Sequence, residues 1–310
     1  MNRREITDLI NEIEETFPVD TWVVDGIRVW PLIRIPLGLN LYKDSEKFTN
    51  LKKIARKVKG DFITLKALIA DSQHNATYKK KADAVFLSNT TCRTKLIGGW
   101  YDRICDPFVE ELTKIGWVSQ VYETTGGYES RIPRYYESTL IQLKLDWINI
   151  TSLVRMFIRR RSVYELDKWA DFVGFCKENR IIRYVPNEQK LIGRVVRIKR
   201  LSQFFETLLK CNQPCLAFVE WYYGDNGMAF NLACKRLGIP SIDIQHGVQG
   251  DFHVAYGRWN KVPLAGYELL PSYFWCWTSH EANSINNWSK ELNGEHTATV
   301  GSNLWLNKWI

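Results

Sequence analysis

Residues 215–247 read CLAFVEWYYGDNGMAFNLACKRLGIPSIDIQHG, and this stretch predicts a strand, a helix and a second strand. Cys215 to Glu220 is a short apolar run of the kind that forms a buried parallel strand. Asn226 to Leu237 has helical spacing of its apolar residues, with Asp225 as the predicted N-cap and Gly238 as the predicted C-cap. The β-rich run SIDI follows and ends at a polar Gln-His-Gly.

A strand, helix, strand unit in a parallel sheet makes a crossover connection, so both strands should end at the same edge. Open α/β sheets bind ligands in the crevice outside the carboxyl ends of their strands. Glu220, Asp225 and His246 are therefore expected to face one crevice.

A second unit of the same kind precedes this one. Residues 83–89 (DAVFLSN) predict a buried strand, residues 102–115 a helix and residues 117–122 another strand, while a polar loop passes through Gly98-Gly99. Residues 137–212 contain three helical patterns. The predicted fold class is α/β, with a Rossmann-like parallel sheet and a helical insertion at 137–212.

Three regions are predicted along the chain. Residues 1–60 form an N-terminal helix and an extended arm, with a possible hairpin turn at Asp25-Gly26. Residues 61–260 form the Rossmann-like domain, and a connecting helix and loop are expected within 43–82. Residues 261–310 are expected to begin a second, truncated domain.

The composition is that of a soluble globular protein, with 310 residues, 45% hydrophobic and 25% charged. Seven scattered cysteines without a CxxC pair favour reduced thiols in a cytoplasmic protein and argue against a zinc ribbon. The N-terminus carries no apolar signal segment. Residues 140–158 are apolar but too short and too charged to span a bilayer. A packed helix is the first interpretation of that segment, and an interfacial helix ending in Arg159-Arg160-Arg161 is the alternative.

The positive charge is concentrated in one part of the chain. The net charge is +8; residues 1–214 carry 36 Lys and Arg against 26 Asp and Glu, and residues 215–310 carry 6 against 8. Lys190, Arg194, Arg197 and Arg200 recur on one helical face. Such faces attract anionic lipid, polyanionic glycans or nucleic acid, although each cluster can also be a solvated face. No nucleic-acid partner is predicted, because no reading motif accompanies the charge.

The block Gly-Ile-Pro, strand, Gln-His-Gly is followed by a loop with His253 and Tyr256, a strand at 274–278 and a Val-Gly-Ser-Asn turn at 300–303. This order resembles the interdomain region of GT-B-type glycosyltransferases of bacterial surface polysaccharide assembly, capsule and O-antigen enzymes in particular. Trp22 to Arg34 and the Tyr-Asp-Arg at 101–103 are similar to N-terminal parts of that family.

The resemblance implies a transferase that moves a sugar from a nucleotide-sugar donor to a lipid-linked or growing glycan. It implies no cofactor beyond that donor, a cytoplasmic location and a peripheral place at the inner membrane. Because the family holds its donor mainly in a second domain, the chain resembles an acceptor-side half. A CDP-glycerol-type glycerophosphotransferase, which shares the two-domain plan, and a non-catalytic acceptor-binding or partner-docking module are the alternatives.

Inverting glycosyl transfer needs a general base and positive charge for the departing diphosphate. His246 fits the base because its ordinary pKa is near neutrality, and a structural histidine is the alternative. Glu220 is the second catalytic candidate, since a carboxylate that ends an apolar strand needs a partner. Asp225 is a weaker base candidate and more simply an N-cap.

Asp225 is also a substrate-binding candidate. The other substrate-binding candidates are residues near His246 in the sequence and two residues that follow the Gly98-Gly99 loop: Gln245, Gly247, His253, Tyr256, Asp102 and Arg103. For Asp102 and Arg103 a salt bridge is the simpler interpretation. No metal is predicted, because the spacing of His246, Asp251, His253 and His280 matches no common ligand pattern. Gly98-Gly99 lacks the glycine pattern and the lysine of nucleotide-binding loops.

Overall fold

The computed structural model describes residues 1–45, 81–125, 131–158 and 163–310. The helices are α1 (Arg3–Thr16), α2 (Trp30–Ser45), α3 (Asp106–Lys114), α4 (Gln142–Ile158), α5 (Trp169–Glu178), α6 (Glu188–Asn212), α7 (Asp225–Leu237), α8 (Ser279–Ser289) and α9 (Leu304–Asn307). The strands are β1 (Val23–Val24), β2 (Ile27–Arg28), β3 (Ala84–Asn89), β4 (Arg93–Leu96), β5 (Gly99–Asp102), β6 (Ser119–Thr124), β7 (Thr139–Leu140), β8 (Tyr164–Glu165), β9 (Leu216–Val219), β10 (Ser241–Ile244), β11 (Tyr273–Cys276) and β12 (Thr297–Val300).

A seven-stranded sheet in the order β12-β11-β10-β9-β3-β6-β7 organises the fold. Every neighbouring pair in it is parallel. The predicted α/β class with a parallel sheet is confirmed, and the architecture is compatible with a Rossmann-like fold.

Both faces of this sheet are covered, as β3 illustrates. Val85 and Leu87 pack into the larger core, with α1, α2, α6 and α7, whereas Ala84 and Phe86 pack into a smaller core beneath α3. Successive side chains of a strand point to opposite faces, so a strand between two layers must be apolar throughout. This is why the run AVFL has no alternation of polar and apolar residues.

The N-terminal region is part of the same core and not a separate domain. The side chains of Asn2 and Glu5 form a capping box that begins α1, and Ile6, Ile10 and Ile13 are buried. The hairpin predicted at Asp25-Gly26 is confirmed as β1 and β2, which β8 extends to three strands. The connecting segment expected within 43–82 lies mostly outside the described residues.

The expected start of a second domain at residue 261 is wrong for the strands that follow. β11 pairs with β10 and β12 pairs with β11, so residues 273–300 extend the first sheet. The physical reason is that Phe274 and Cys276 bury their side chains in the larger core, which a separate domain would not share. The polar loop expected through Gly98-Gly99 is shorter than predicted, because β4 and β5 form an antiparallel hairpin with Gly98 in its turn and Gly99 at the start of β5.

The helical insertion is confirmed as α4, α5 and α6, with the short strands β7 and β8 included. Leu145 and Ile148 of α4 pack on the larger core, in agreement with a packed helix. No helix in the described part of the chain is both long enough and apolar enough to cross a membrane.

Candidate functional site

The sheet reverses its direction of growth between β3 and β9. From β3 the chain adds β6 and β7 on one side, then returns beside β3 with β9 and adds β10 to β12 on the other. Crossover connections leave opposite sides of the sheet at such a point, so a crevice opens at the carboxyl ends of the two strands. The sequence pattern instead predicts the binding site at the carboxyl end of β10, which is the neighbour of β9 on the side away from β3.

A cavity of about 460 Å³ occupies this crevice. Its walls come from the ends of β3, β6 and β9, from the first turn of α7, and from one side chain each of α4 and α6. The lining residues are Leu87, Ser88, Asn89, Thr124, Asn149, Arg197, Val219, Glu220, Trp221, Tyr223, Gly224, Asp225, Asn226 and Gly227.

Glu220 is the ionisable group on the strand side of the cavity. It directly follows β9 and is buried, and its carboxylate accepts hydrogen bonds from the backbone N–H of Asn89 (2.9 Å) and from the Cys92 thiol. Burial, and next the negative charge of Asp102, raise the pKa of Glu220 to about 8. The carboxyl therefore exchanges its proton near neutral pH.

Glu220 belongs to a buried cluster that contains more carboxyls than guanidinium groups. Asp102, Asp106 and Glu123 are buried with it, and Arg93 contacts Glu123 and lies 3.8 Å from Asp106. A second guanidinium, that of Arg134, donates to Glu123 at 2.7 Å. Burial, and next the charge of Asp102, raise the pKa of Asp106 to about 8. With two cations for four carboxyls, part of the cluster stays protonated at neutral pH.

Asp102 lies in the middle of this cluster and outside the cavity lining. Its Oδ1 accepts the backbone N–H groups of Ile104 (2.9 Å) and Cys105 (3.1 Å), and its Oδ2 accepts the Ser88 hydroxyl (2.7 Å). These bonds shape the turn into α3. Arg103 is exposed and donates from Nε to the Cys92 carbonyl at 3.1 Å. Asp102 and Arg103 therefore bond to different groups, and neither lines the cavity.

Asp225 lines the cavity, but its expected capping role is wrong. Gly224 is the N-cap of α7 and has no side chain to donate or accept, while Asp225 occupies the first helical turn. The Asp225 carboxylate pairs with Arg194 (2.7 Å) and with Arg197, which both come from α6. The negative charge at the N-terminus of α7 is favourable to the helix dipole.

The basic face predicted on α6 is therefore largely used inside the protein. Arg194 and Arg197 hold Asp225, and Arg200 donates to the Ile148 carbonyl and to two hydroxyls of α4. Arg197 also lines the cavity, and its Nε is buried without a hydrogen-bond partner. Arg194 and Arg197 together carry one positive charge more than Asp225 neutralises, so this corner of the cavity can accept an anionic group.

His246 lies behind the cavity rim. Its Nδ1 is 3.1 Å from the carbonyl of Ile244, which can only accept, so Nδ1 carries the proton and Nε2 accepts from the Tyr223 hydroxyl at 3.2 Å. Burial lowers the pKa of His246 to about 4, so the ring is neutral at pH 7. Trp221 donates from Nε1 to the Tyr223 oxygen at 2.6 Å. His246 thereby orients two aromatic side chains that do line the cavity.

Gln245 and Gly247 shape the loop after β10. The Gln245 amide donates to the Gly247 carbonyl (3.0 Å) and accepts the Trp277 N–H (2.6 Å), which ties this loop to the end of β11. Gln245 is buried, and a Cβ at Gly247 would meet no neighbour within 4 Å. Neither residue lines the cavity.

His253 and Tyr256 lie in the next loop. The Tyr256 hydroxyl donates to Asp243 at 3.0 Å and is fully buried, which indicates a structural role. Burial lowers the pKa of His253 to about 4, and this ring lines a separate recess of about 100 Å³ with Tyr42 and Phe252. The two residues contact each other but not the cavity beside Glu220.

One set of three possible metal ligands occurs among the described residues. Asp102, Cys105 and Glu220 bring ligand atoms within 4.8 Å of one another. Both carboxylates already accept hydrogen bonds on each oxygen, and burial raises the pKa of the Cys105 thiol well above its ordinary value. The donors are thus engaged in the protein, and the arrangement functions as a hydrogen-bonded core.

The cavity contains residues that the sequence analysis did not select, notably Asn89, Thr124, Trp221 and Tyr223. The signal for the two aromatics was present, because WYYG directly follows the predicted strand at 215–220. Asn89 and Thr124 are hydrogen-bonded to each other at 3.1 Å across β3 and β6, a pairing of residues 35 apart that periodicity does not predict.

In comparisons with known proteins, no protein-family model, no curated protein sequence and no solved structure matched this chain.

Proposed function

We propose that this chain is a transferase of the GT-B type that moves a sugar from a nucleotide-sugar donor to a hydroxyl of a lipid-linked or growing glycan. The observation that carries the proposal is the position of Glu220. Its carboxyl, with a pKa of about 8, lines the cavity between the carboxyl ends of β3 and β9, where the parallel sheet reverses its direction of growth. A catalytic base is most effective when its pKa is near the operating pH.

The rest of the cavity suits the two ends of such a donor. Trp221 and Tyr223 line the cavity with aromatic rings, the side-chain type against which sugars and bases stack. The N-terminal turn of α7, a helix of 13 residues, meets the cavity together with Arg197. Backbone N–H groups at a helix N-terminus and a guanidinium favour phosphate oxygens. The donor diphosphate is therefore assigned to the α7 side and the reacting hydroxyl to the Glu220 side.

In the proposed step, ionised Glu220 accepts the proton of the acceptor hydroxyl while that oxygen forms a bond to the anomeric carbon of the donor. The bond from this carbon to the diphosphate oxygen breaks, and its electron pair leaves with the nucleoside diphosphate. Arg197 stabilises the charge that develops on the leaving group. The Asn89 N–H orients the carboxylate of Glu220. The seven free thiols are in keeping with a cytoplasmic location.

The experiment is a comparison of the purified chain with its Glu220→Gln variant. Binding of a panel of nucleotide sugars is measured by calorimetry, and transfer is measured by release of nucleoside diphosphate with glycan acceptors. Donor binding should be retained in the variant, and turnover should fall about 10²–10⁴-fold, the contribution of a positioned base.

His246→Gln is the matched comparison, because His246 contacts Tyr223 and not the cavity. It should weaken donor binding modestly and leave the pH dependence of turnover unchanged. Equal turnover of wild type and Glu220→Gln would refute the role of Glu220. Binding of CDP-glycerol in place of every sugar nucleotide would favour a glycerophosphotransferase, and binding of glycan without any nucleotide would favour an acceptor-binding module.

A further inference from the structure

α4 has apolar side chains on two opposite faces. Leu145 and Ile148 pack on the larger core. Leu143, Trp147 and Ile150 recur at intervals of four and three residues, so they form one row along the helix. Their exposed fractions are 43%, 64% and 58%. We refer to Leu143, Trp147 and Ile150 as the α4 stripe.

Such a row is unusual on a helix at the surface of a globular protein. The face opposite the core is normally polar, whereas contiguous exposed apolar side chains mark an interaction surface. A tryptophan in the middle of the row is significant, because its ring is amphipathic and partitions to the boundary between headgroups and acyl chains.

We propose that the α4 stripe docks the protein on an anionic membrane surface. α4 cannot cross the bilayer, in agreement with the result for all described helices, so it lies in the plane of the interface. The strength of such peripheral binding depends first on the apolar area that the helix buries and second on electrostatic attraction to anionic lipids. The α4 stripe supplies the first.

The charge supplies the second. Lys144 is exposed next to Leu143 on α4, whereas Asp146 is half-buried and accepts a hydrogen bond from the Gln142 amide at 2.8 Å. The whole chain carries a net charge of +8. Anionic headgroups attract each basic residue near the surface, so the charge selects an anionic bilayer over a neutral one.

Docking through the α4 stripe also fixes the distance between the cavity and the membrane surface. Asn149 lies between Ile148 and Ile150 on α4, and it lines the cavity beside Glu220. A helix with its side chains is about 10 Å across, so a docked α4 holds the cavity wall within that distance of the headgroups. A lipid-linked substrate can then reach the cavity without leaving the bilayer. The docking itself does not depend on the proposed transfer reaction.

The test is co-sedimentation of the full chain with vesicles of phosphatidylcholine alone and of phosphatidylcholine with phosphatidylglycerol. The wild type should bind the anionic vesicles more strongly, and added salt should reduce binding. The double variant Trp147→Ser/Ile150→Ser should lose about 30-fold in partition coefficient, from the apolar area no longer buried. Ile115→Ser/Leu264→Ser is the matched control, because both of its residues are also apolar and exposed; it should bind as the wild type does.

A second variant keeps the apolar side chains and changes only the charge. Lys144→Glu should bind anionic vesicles at least about fivefold more weakly, and neutral vesicles equally, since one surface cation contributes about that factor. Wild-type binding to neither vesicle, or equal binding by wild type and both variants, would overturn the proposal. A wild-type dimer that Trp147→Ser/Ile150→Ser dissociates, with vesicle binding unchanged, would overturn it in favour of self-association.

Discussion

Replacement of Glu220 by Gln should change how the stability of the protein depends on pH. In the folded state burial raises the pKa of this carboxyl from 4.5 to about 8. The folded protein therefore holds a proton that the unfolded chain releases between these pH values. The contribution of the Glu220 carboxyl to the free energy of unfolding is fully present below about pH 4.5 and is lost as the pH rises through about 8. A glutamine side chain cannot ionise, so the variant lacks this loss.

The magnitude follows from the pKa change. Each pKa unit corresponds to about 1.4 kcal/mol, so the change from 4.5 to about 8 amounts to about 5 kcal/mol. Asp102 and Asp106 titrate in the same cluster, so part of this free energy belongs to them and not to Glu220 alone. We therefore expect the free energies of unfolding of wild type and variant to differ by about 2–5 kcal/mol at high pH. Glu220→Gln should thus be close to the wild type at pH 5 and more stable than the wild type at pH 9.

The assay is urea unfolding followed by circular dichroism at a series of pH values from 5 to 9, with the m-value checked for constancy. Glu111→Gln, an exposed carboxylate on α3, is the control and should follow the wild type. Parallel stability curves for wild type and Glu220→Gln would refute the reasoning, since they would mean that Glu220 ionises in the folded protein as it does in water.

Three further changes test the packing of the fold. Glu14→Gln should destabilise the fold by about 3–5 kcal/mol in urea unfolding, because it leaves the fully buried Arg34 without its 2.7 Å counter-ion; the exposed Glu12→Gln should have little effect, and equal stability of the two variants would contradict this account. Gly227→Ala should cost about 1–3 kcal/mol, because its Cβ would clash with the Trp221 carbonyl oxygen. Gly174→Ala, with open space in α5, should instead stabilise by about 0.5–1 kcal/mol in the same assay.

Several elements could be predicted because their signals are local. The run LAFV, the stop at Gly238 in a left-handed conformation (φ 68°) and the run SIDI gave the β9, α7, β10 unit nearly to the residue. A buried strand must be apolar on both faces, and glycine adopts a positive φ without a steric cost. Glu220 was likewise identified as a candidate from local sequence, because a carboxylate that directly follows a buried apolar strand needs a partner or solvent wherever that strand lies in the sheet.

Other features depend on contacts between distant residues. The switch point lies between β3 and β9, which are far apart along the chain, and no local pattern specifies that β9 returns beside β3. In the folded chain Glu220 is buried and Asp102 lies near it, and these two effects, burial first, raise the pKa of Glu220. The fold also leaves His246 behind Tyr223 instead of in the cavity. The amino-acid pattern fixes which segments are strands and helices, since periodicity and capping act within a few residues. The order of strands, the location of the cavity and the protonation of Glu220 come from the tertiary structure, because burial and electrostatic interactions act through space.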